Sequence, residues 1–366
     1  MKDMNRRQFL GATAAAAATL GIAGCSSSDD EDTGSTSGSA STDSSTEEAT
    51  SDYGDFTVTM ITDTGGVNDQ SFNQLAWEGL QQLEEETGIE VSYTESTQES
   101  DYATNLDRAV DADCNLIWGV GYAMADAVET AATTNPDYNF AIIDNSYDDP
   151  ADNLTGVIFR SEEAAFAGGY VAACTTTTGQ VGFVGGIESD VLIAFEYGYK
   201  AGVAYANSVN GTSVEVTAQY VESFSDTAAG KATANSQYTN GCDIVFACAG
   251  NAGNGVIEAA TETGNLVIGV DSDQYDLAPD NMLTSVLKKV DEAVIEISLE
   301  CANGESIGGQ NVELGSSDDA VGLSEHHDLM DDDVYEAAIG LIDQFASGEI
   351  VAPTNEDEYN EYVATL

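Results

Sequence analysis

Cys114-Asn-Leu-Ile-Trp-Gly-Val-Gly121, followed after a helical stretch by Phe140-Ala-Ile-Ile-Asp-Asn145, has a counterpart later in the chain. Cys242-Asp-Ile-Val-Phe-Ala-Cys-Ala-Gly250 is likewise followed by a helical stretch and then by Leu266-Val-Ile-Gly-Val-Asp271. Each copy is a short apolar run closing on glycine, a crossover helix, and a second apolar run closing on an acid. That is the signature of buried parallel strands in a Rossmann-like unit, present here twice. Ligands of open α/β sheets sit outside the carboxyl ends of the strands, so Asp144 and Asp271, each ending its strand, are candidates to face one shared cleft. Asp also punctuates strand-to-turn transitions with no ligand involved, and for either residue alone that reading stands. The matched placement of the two is what favours the cleft.

Working outward, eight strands in all are expected, at Phe56–Thr62, Ile89–Tyr93, Leu116–Val120, Phe140–Ile143, Gly179–Val184, Val214–Tyr220, Ile244–Cys248 and Leu266–Val270. With helices between them the class is α/β, as two Rossmann-like lobes with a hinge. The expected N-terminal lobe is 55–162 with part of 290–320, and the C-terminal lobe is 163–289 with part of 321–366. The hinge then falls near Arg160–Glu163, and the chain returns after about Lys288.

The composition narrows the partners. Against nine Lys plus Arg stand 65 Asp plus Glu, a formal charge of −56 spread along all 366 residues. Such a field repels phosphate backbones, so nucleic acid is not an expected partner. Self-repulsion of this size is tolerable in molar salt, where the screening length is about 3 Å, and the composition reads as halophilic. Six cysteines without a Cys-x-x-Cys pair, and only two histidines, His326 and His327, argue against a zinc site. No cofactor or metal is expected.

The first residues read as an address. Asn5-Arg6-Arg7-Gln8-Phe9-Leu10 precedes an apolar segment that runs to about Ala23, too short for a mature span of about 20 residues, and matches a twin-arginine export signal. Gly21-Ile22-Ala23-Gly24-Cys25 then resembles a lipobox, giving a signal peptide over 1–24 and lipidation at Cys25; an ordinary signal with a chance cysteine is the alternative. Residues 25–54 are rich in Ser, Thr and acids, with almost no large apolar side chain, and are expected to be a disordered tether. The expected location is the outer face of the cytoplasmic membrane, with the lipid as anchor.

Three stretches carry candidate binding residues. Asp63-Thr-Gly-Gly-Val-Asn-Asp-Gln-Ser-Phe72 follows the first strand and opens a helix. Phe72 among polar residues is either a stacking face for a flat ligand or a hydrophobic staple. Gly250-Asn-Ala-Gly-Asn-Gly255 lacks the Lys and Ser/Thr of a phosphate loop and suits close backbone approach to an uncharged ligand at Gly250. Lys288 and Lys289 hold a third of the six basic residues beyond the signal. A lysine facing Asp144 and Asp271 balances them and donates to sugar hydroxyls, whereas pairing with nearby Asp291 is the structural alternative. There is no Gly-x-Ser-x-Gly elbow, and no histidine in the segments expected to form the cleft, so an enzyme is not expected.

Gly66-Val-Asn-Asp-Gln-Ser-Phe-Asn-Gln74, Phe140-Ala-Ile-Ile-Asp144, Gly182-Phe-Val-Gly-Gly186, Phe195-Glu-Tyr-Gly-Tyr-Lys-Ala-Gly-Val203, Gly269-Val-Asp-Ser-Asp-Gln274 and Leu283-Thr-Ser-Val-Leu-Lys-Lys-Val-Asp291 follow in an order and spacing that resemble the basic membrane protein family of ABC-transporter binding proteins, of purine-nucleoside-receptor type. The resemblance implies the two-lobed, hinged fold of a type I periplasmic binding protein, a nucleoside ligand, and ABC permease and ATPase subunits as partners. It implies that Phe72 and Phe195 sandwich the base, that Asn68 and Asp69 read its edge, and that Asp144, Asp271 and Lys288 hold the ribose. Gln70 departs from it, standing where the family usually has lysine. A lipoprotein that senses the same ligand for a receptor, and a nucleoside hydrolase, are the rival functions.

Overall fold

The computed structural model describes residues 53–366. The export signal, Cys25 and all but the last two residues of the expected tether lie outside the described residues. The folded body is built on two six-stranded sheets. The first contains β1 (Thr57–Thr62), β2 (Glu90–Thr94), β3 (Leu116–Val120), β4 (Asn139–Ile143) and β5 (Leu154–Phe159). A late strand, β11 (Gln310–Leu314), joins it, giving the all-parallel order β11-β5-β4-β3-β1-β2. The second sheet contains β6 (Gln180–Gly185), β7 (Glu215–Tyr220), β8 (Ile244–Cys248), β9 (Leu266–Asp271), β10 (Met282–Lys288) and β12 (Val321–Leu323), in the order β12-β10-β9-β8-β6-β7. Only β12 runs antiparallel to its neighbour.

Helices cover both faces of each sheet, as parallel strands buried on two sides require. On the first sheet, α1 (Phe72–Thr87) and α8 (Val290–Ala302) cover one face through Leu80, Leu83, Val294 and Ile297. The other face carries α2 (Tyr102–Asp111) and α3 (Ala125–Thr134) through Leu106 and Val128. On the second sheet, α4 (Ser161–Thr175), α5 (Asp190–Asn210) and α9 (Asp332–Ala346) form one layer, with α6 (Thr227–Thr239) and α7 (Asn251–Thr263) opposite. The last helix, α10 (Glu356–Val363), lays Tyr359 and Tyr362 on the α4–α5–α9 layer. α4 and α5 approach so closely that a Cβ at Gly169 would stand 2.0 Å from the Tyr199 carbonyl oxygen, which excludes any larger residue there.

The chain passes between the lobes three times. After β5, Arg160 leads into α4 of the second lobe; after β10, Lys289 leads back into α8 of the first; and residues 315–320 carry β11 over to β12. These passages are bonded together: the Arg160 amide donates to Leu314 O at 2.8 Å and the Lys289 amide to Ala320 O at 2.9 Å. Trp118 on β3, wholly buried, donates from Nε1 to Ser298 Oγ at 3.1 Å and so pins the returning helix α8 to the first sheet.

All eight expected strands form, with ends shifted by a residue at most. Four strands were not anticipated. β5 contains Gly156, where a Cβ would meet Asn311 Oδ1 at 2.5 Å. β10 carries Thr284 and Ser285, fully buried, in what otherwise reads as a polar connection. β11 is polar and largely exposed, and β12 has three residues. Both are edge strands whose pairing is set by the lobe crossing rather than by their own side chains.

Candidate functional site

The carboxyl ends of both sheets open on one cleft, about 510 Å³ with its open mouth included. Three aspartates at strand ends enter it: Asp63 after β1, Asp144 after β4 and Asp271 closing β9. Asp144 and Asp271 share an unusual backbone, with φ of 66° and 64°, which turns the chain sharply as the strand ends, and both line the cleft. They are 8% and 7% exposed, and Lys288, at the end of β10, is 2% exposed. Lys288 Nζ lies 2.7 Å from Asp144 Oδ2 in one lobe and 3.5 Å from Asp271 Oδ1 in the other. Burial alone would pull the lysine down, but the two carboxylates outweigh it and hold the ammonium above its ordinary range. Lys289, by contrast, turns to the surface, to Asp319 and Glu292.

Aromatic rings surround the same ammonium. Nζ of Lys288 stands 4.5 Å from the centroid of Phe72, the first residue of α1, and 5.5 Å from that of Phe195 in α5. Phe159 lies at 5.7 Å. Phe195 is seated edge-on against Phe246, with ring centroids 6.2 Å apart, so a core contact fixes the orientation of a cleft residue. The two rings named by the sequence thus come from opposite lobes to one polar centre.

The loop between β1 and α1 forms the other end. Asp69 caps α1: its carboxylate accepts from the amides of Ser71, Asn73 and Gln74 and from Asn73 Nδ2, all at 2.9 to 3.0 Å. Its acceptor capacity is spent on the helix. Asp63 accepts from the Gly65 amide at 2.9 Å and Asn73 Nδ2 at 3.0 Å, and has no cation beside it; burial pushes its pKa up to about 6. Asn73, itself buried, keeps Oδ1 without a hydrogen-bond partner at the cavity wall.

Seven of the eight residues expected at the site line the cleft: Asp69, Phe72, Asp144, Phe195, Gly250, Asp271 and Lys288. Asn68 is not brought there. It is exposed because its neighbours Val67 and Asp69 both turn inward, the Val67 amide bonding Glu95 Oε1 at 2.9 Å, which leaves the intervening side chain facing solvent. Sequence reasoning passed over Asp63 and Asn73, although Met60-Ile61-Thr62-Asp63 repeats the strand-then-acid pattern that picked out Asp144 and Asp271. It also passed over Tyr122 and Phe224, which come from loops that carry no periodic signal.

The lobes meet directly across the cleft. Ser71 Oγ donates to Asp271 Oδ2 at 2.6 Å, Gln274 Nε2 to Gln70 O at 2.8 Å, and Asn254 Nδ2 to Asp69 O at 3.0 Å. Four carboxylates against one ammonium make the interior hostile to anions, while the aromatic faces and the acceptor-rich walls suit a neutral, flat solute bearing hydroxyls.

The model of the family described as ABC transporter substrate-binding protein, PnrA-like, matches residues 56–356. The chain belongs to this Bmp family. The CD4+ T-cell-stimulating antigen of Listeria monocytogenes is 39% identical over 320 residues, covering 82% of this chain and 88% of that one. Basic membrane protein A of Borreliella burgdorferi is 38% identical over 311 residues, covering 84% and 90%. Among solved structures, an ABC transporter system solute-binding protein from Aeropyrum pernix superposes with a TM-score of 0.77 at 27% identity, covering 85% of this chain and 98% of its own. The two-lobed α/β fold and the role of ABC substrate-binding protein follow from this membership, and proteins of such systems bind a small ligand and work with permease and ATPase subunits. Among the described residues no helix is long and apolar enough to cross a membrane.

Proposed function

We propose that the cleft binds a nucleoside, a purine in particular, and that the protein, held to the outer face of the cytoplasmic membrane by a lipid on Cys25, delivers it unchanged to its permease. The observation that carries the reading is the meeting of Phe72 and Phe195 around the ammonium that Asp144 and Asp271 share. A carboxylate, an ammonium and a second carboxylate in a row match the alternating donors and acceptors of a ribose diol, and flat faces beside them match a stacked base. Gly250, without a side chain, leaves room for close approach at the second-lobe wall. Asp63 and Asn73 take the base-reading role in preference to Asn68, which faces solvent, and to Asp69, whose oxygens are already engaged by α1. The dispersed acidity further supports a working environment of molar salt.

Isothermal titration of the mature chain in molar KCl with adenosine, guanosine, inosine, cytidine and uridine tests the reading. Heat from at least one purine nucleoside, absent for the free pentose, is the expected result. No heat from any of the five defeats it.

A further inference from the structure

Beyond Phe72 and Phe195, a second pair of aromatic residues closes the cleft. Tyr122, from the turn after β3 in the first lobe, and Phe224, from the connection after β7 in the second, both line the cavity and meet edge-to-face across the lobe boundary, with centroids 6.3 Å apart and planes at 73°. The Tyr122 hydroxyl also reaches the side chain of Ser189, the residue that caps α5. Neither ring touches the Lys288 ammonium, so the pair bounds the part of the cavity away from the proposed diol site. The seat of Phe224 is built for it: a Cβ at Gly186 would stand 2.3 Å from the ring, and one at Gly250 would stand 3.5 Å from it. Glycine at Gly186 is what leaves room for the ring just past the end of β6.

We propose that Tyr122 and Phe224 are a gate that forms only when the lobes close, limiting the size of the base at its outer edge and slowing release of the ligand. The proposal rests on the nucleoside reading above. The two rings belong to different lobes, so any opening at the hinge separates them, and their contact exists only in the closed form. An edge-to-face pair contributes about 0.5–1.5 kcal/mol, which corresponds to a roughly two- to tenfold slower escape if the contact is lost before the ligand can leave. A base enlarged beyond this wall cannot be enclosed without displacing one ring.

Stopped-flow dissociation and calorimetry in molar KCl, with adenosine and N6-benzyladenosine as probes, distinguish the possibilities. The wild-type chain is expected to bind adenosine and to discriminate against the benzyl derivative. Tyr122→Ala and Phe224→Ala are expected to release adenosine about two- to tenfold faster and to narrow that discrimination. Adenosine binding with unchanged dissociation and unchanged discrimination in both variants overturns the gate and leaves the nucleoside reading standing. Absence of binding of every nucleoside to the wild-type chain overturns that reading, and the gate with it. Circular dichroism checks that the alanine variants fold. If they do not, Phe224→Leu, which keeps apolar bulk but removes the ring that meets Tyr122, decides: faster release with narrowed discrimination supports the gate, and an unchanged rate overturns it.

Discussion

Asp144 and Asp271 occupy equivalent places in the two lobes, with the same left-handed backbone and the same depth of burial, yet they hold different partners. Asp144 makes the close contact with Lys288, at 2.7 Å, and no other hydrogen bond to a side chain accompanies it. Asp271 stands back from the lysine at 3.5 Å and instead accepts Ser71 Oγ from the opposite lobe at 2.6 Å. Repetition of a strand-turn unit supplies two carboxylates at matching positions; what each one does is decided by the partner that the other lobe presents. Both bonds cross between the lobes, since Lys288 ends β10 of the second sheet, but the first is made beside the chain crossing at Lys289 and the second with the start of α1. A third strand-end acid, Asp63, has the same placement with no cation beside it, and burial pushes its pKa up to about 6.

The sharpest way to break this comparison is to remove the lysine that both carboxylates share. Lys288→Met leaves two buried acids uncompensated and is expected to destabilise the protein by about 3–5 kcal/mol, read as a lower thermal midpoint in molar KCl together with loss of ligand binding. Unchanged stability would mean that the three groups are not the coupled unit described. Next in size is the contrast between the acids themselves. Asp144→Asn and Asp271→Asn are each expected to weaken nucleoside binding by about 1.5–3 kcal/mol, the range for a charged hydrogen bond. Because Lys288 adjoins the chain crossing at Lys289, which holds the lobes near that point in any case, Asp271→Asn should loosen the ligand-free protein more than Asp144→Asn, seen as a larger radius of gyration by small-angle scattering; equal scattering from the two variants would erase the difference between them.

Asp63 extends the comparison to pH. Its carboxyl binds a proton more readily in the folded chain than in the unfolded one, so its contribution to stability falls as pH rises from its ordinary 3.8 through about 6. Asp63→Asn is therefore expected to be more stable than wild type above pH 6, by about 1–3 kcal/mol. A ligand N–H donated to this carboxylate favours the ionised form, so wild-type affinity should rise between pH 5 and pH 7 while protons are released. Calorimetry in buffers of different ionisation heat measures that release, and proton uptake would contradict the assignment. The smallest effect belongs to Ser71→Ala, which removes one interlobe bond and is expected to weaken ligand binding by about 1 kcal/mol while leaving the thermal midpoint nearly unchanged.

The parts of this arrangement that were legible in the sequence share one property: they are encoded locally. Strands β4 and β9 declare themselves through uninterrupted apolar runs, and the acids that end them through position. Phe72 stands out because it is the lone large apolar residue in a polar loop. Phe195 does not, since a phenylalanine inside a helix reads as packing until the fold shows which way the helix faces; it was reached through family resemblance instead. Strands β11 and β12 depend on where the chain crosses between lobes, which no window of sequence specifies. Asn68 was misplaced for the complementary reason: loop side chains have no fixed period, and one step along the backbone carried it from the cavity to solvent.

Three separate backbone passages, at Arg160, Lys289 and 315–320, join the two halves, and mutual hydrogen bonds tie them side by side. A door on one pin can wobble and twist; on three it can only swing. The disorder forfeited on shutting is correspondingly small, because few relative orientations were open to begin with, and a solute of modest grip can still bring the two faces together.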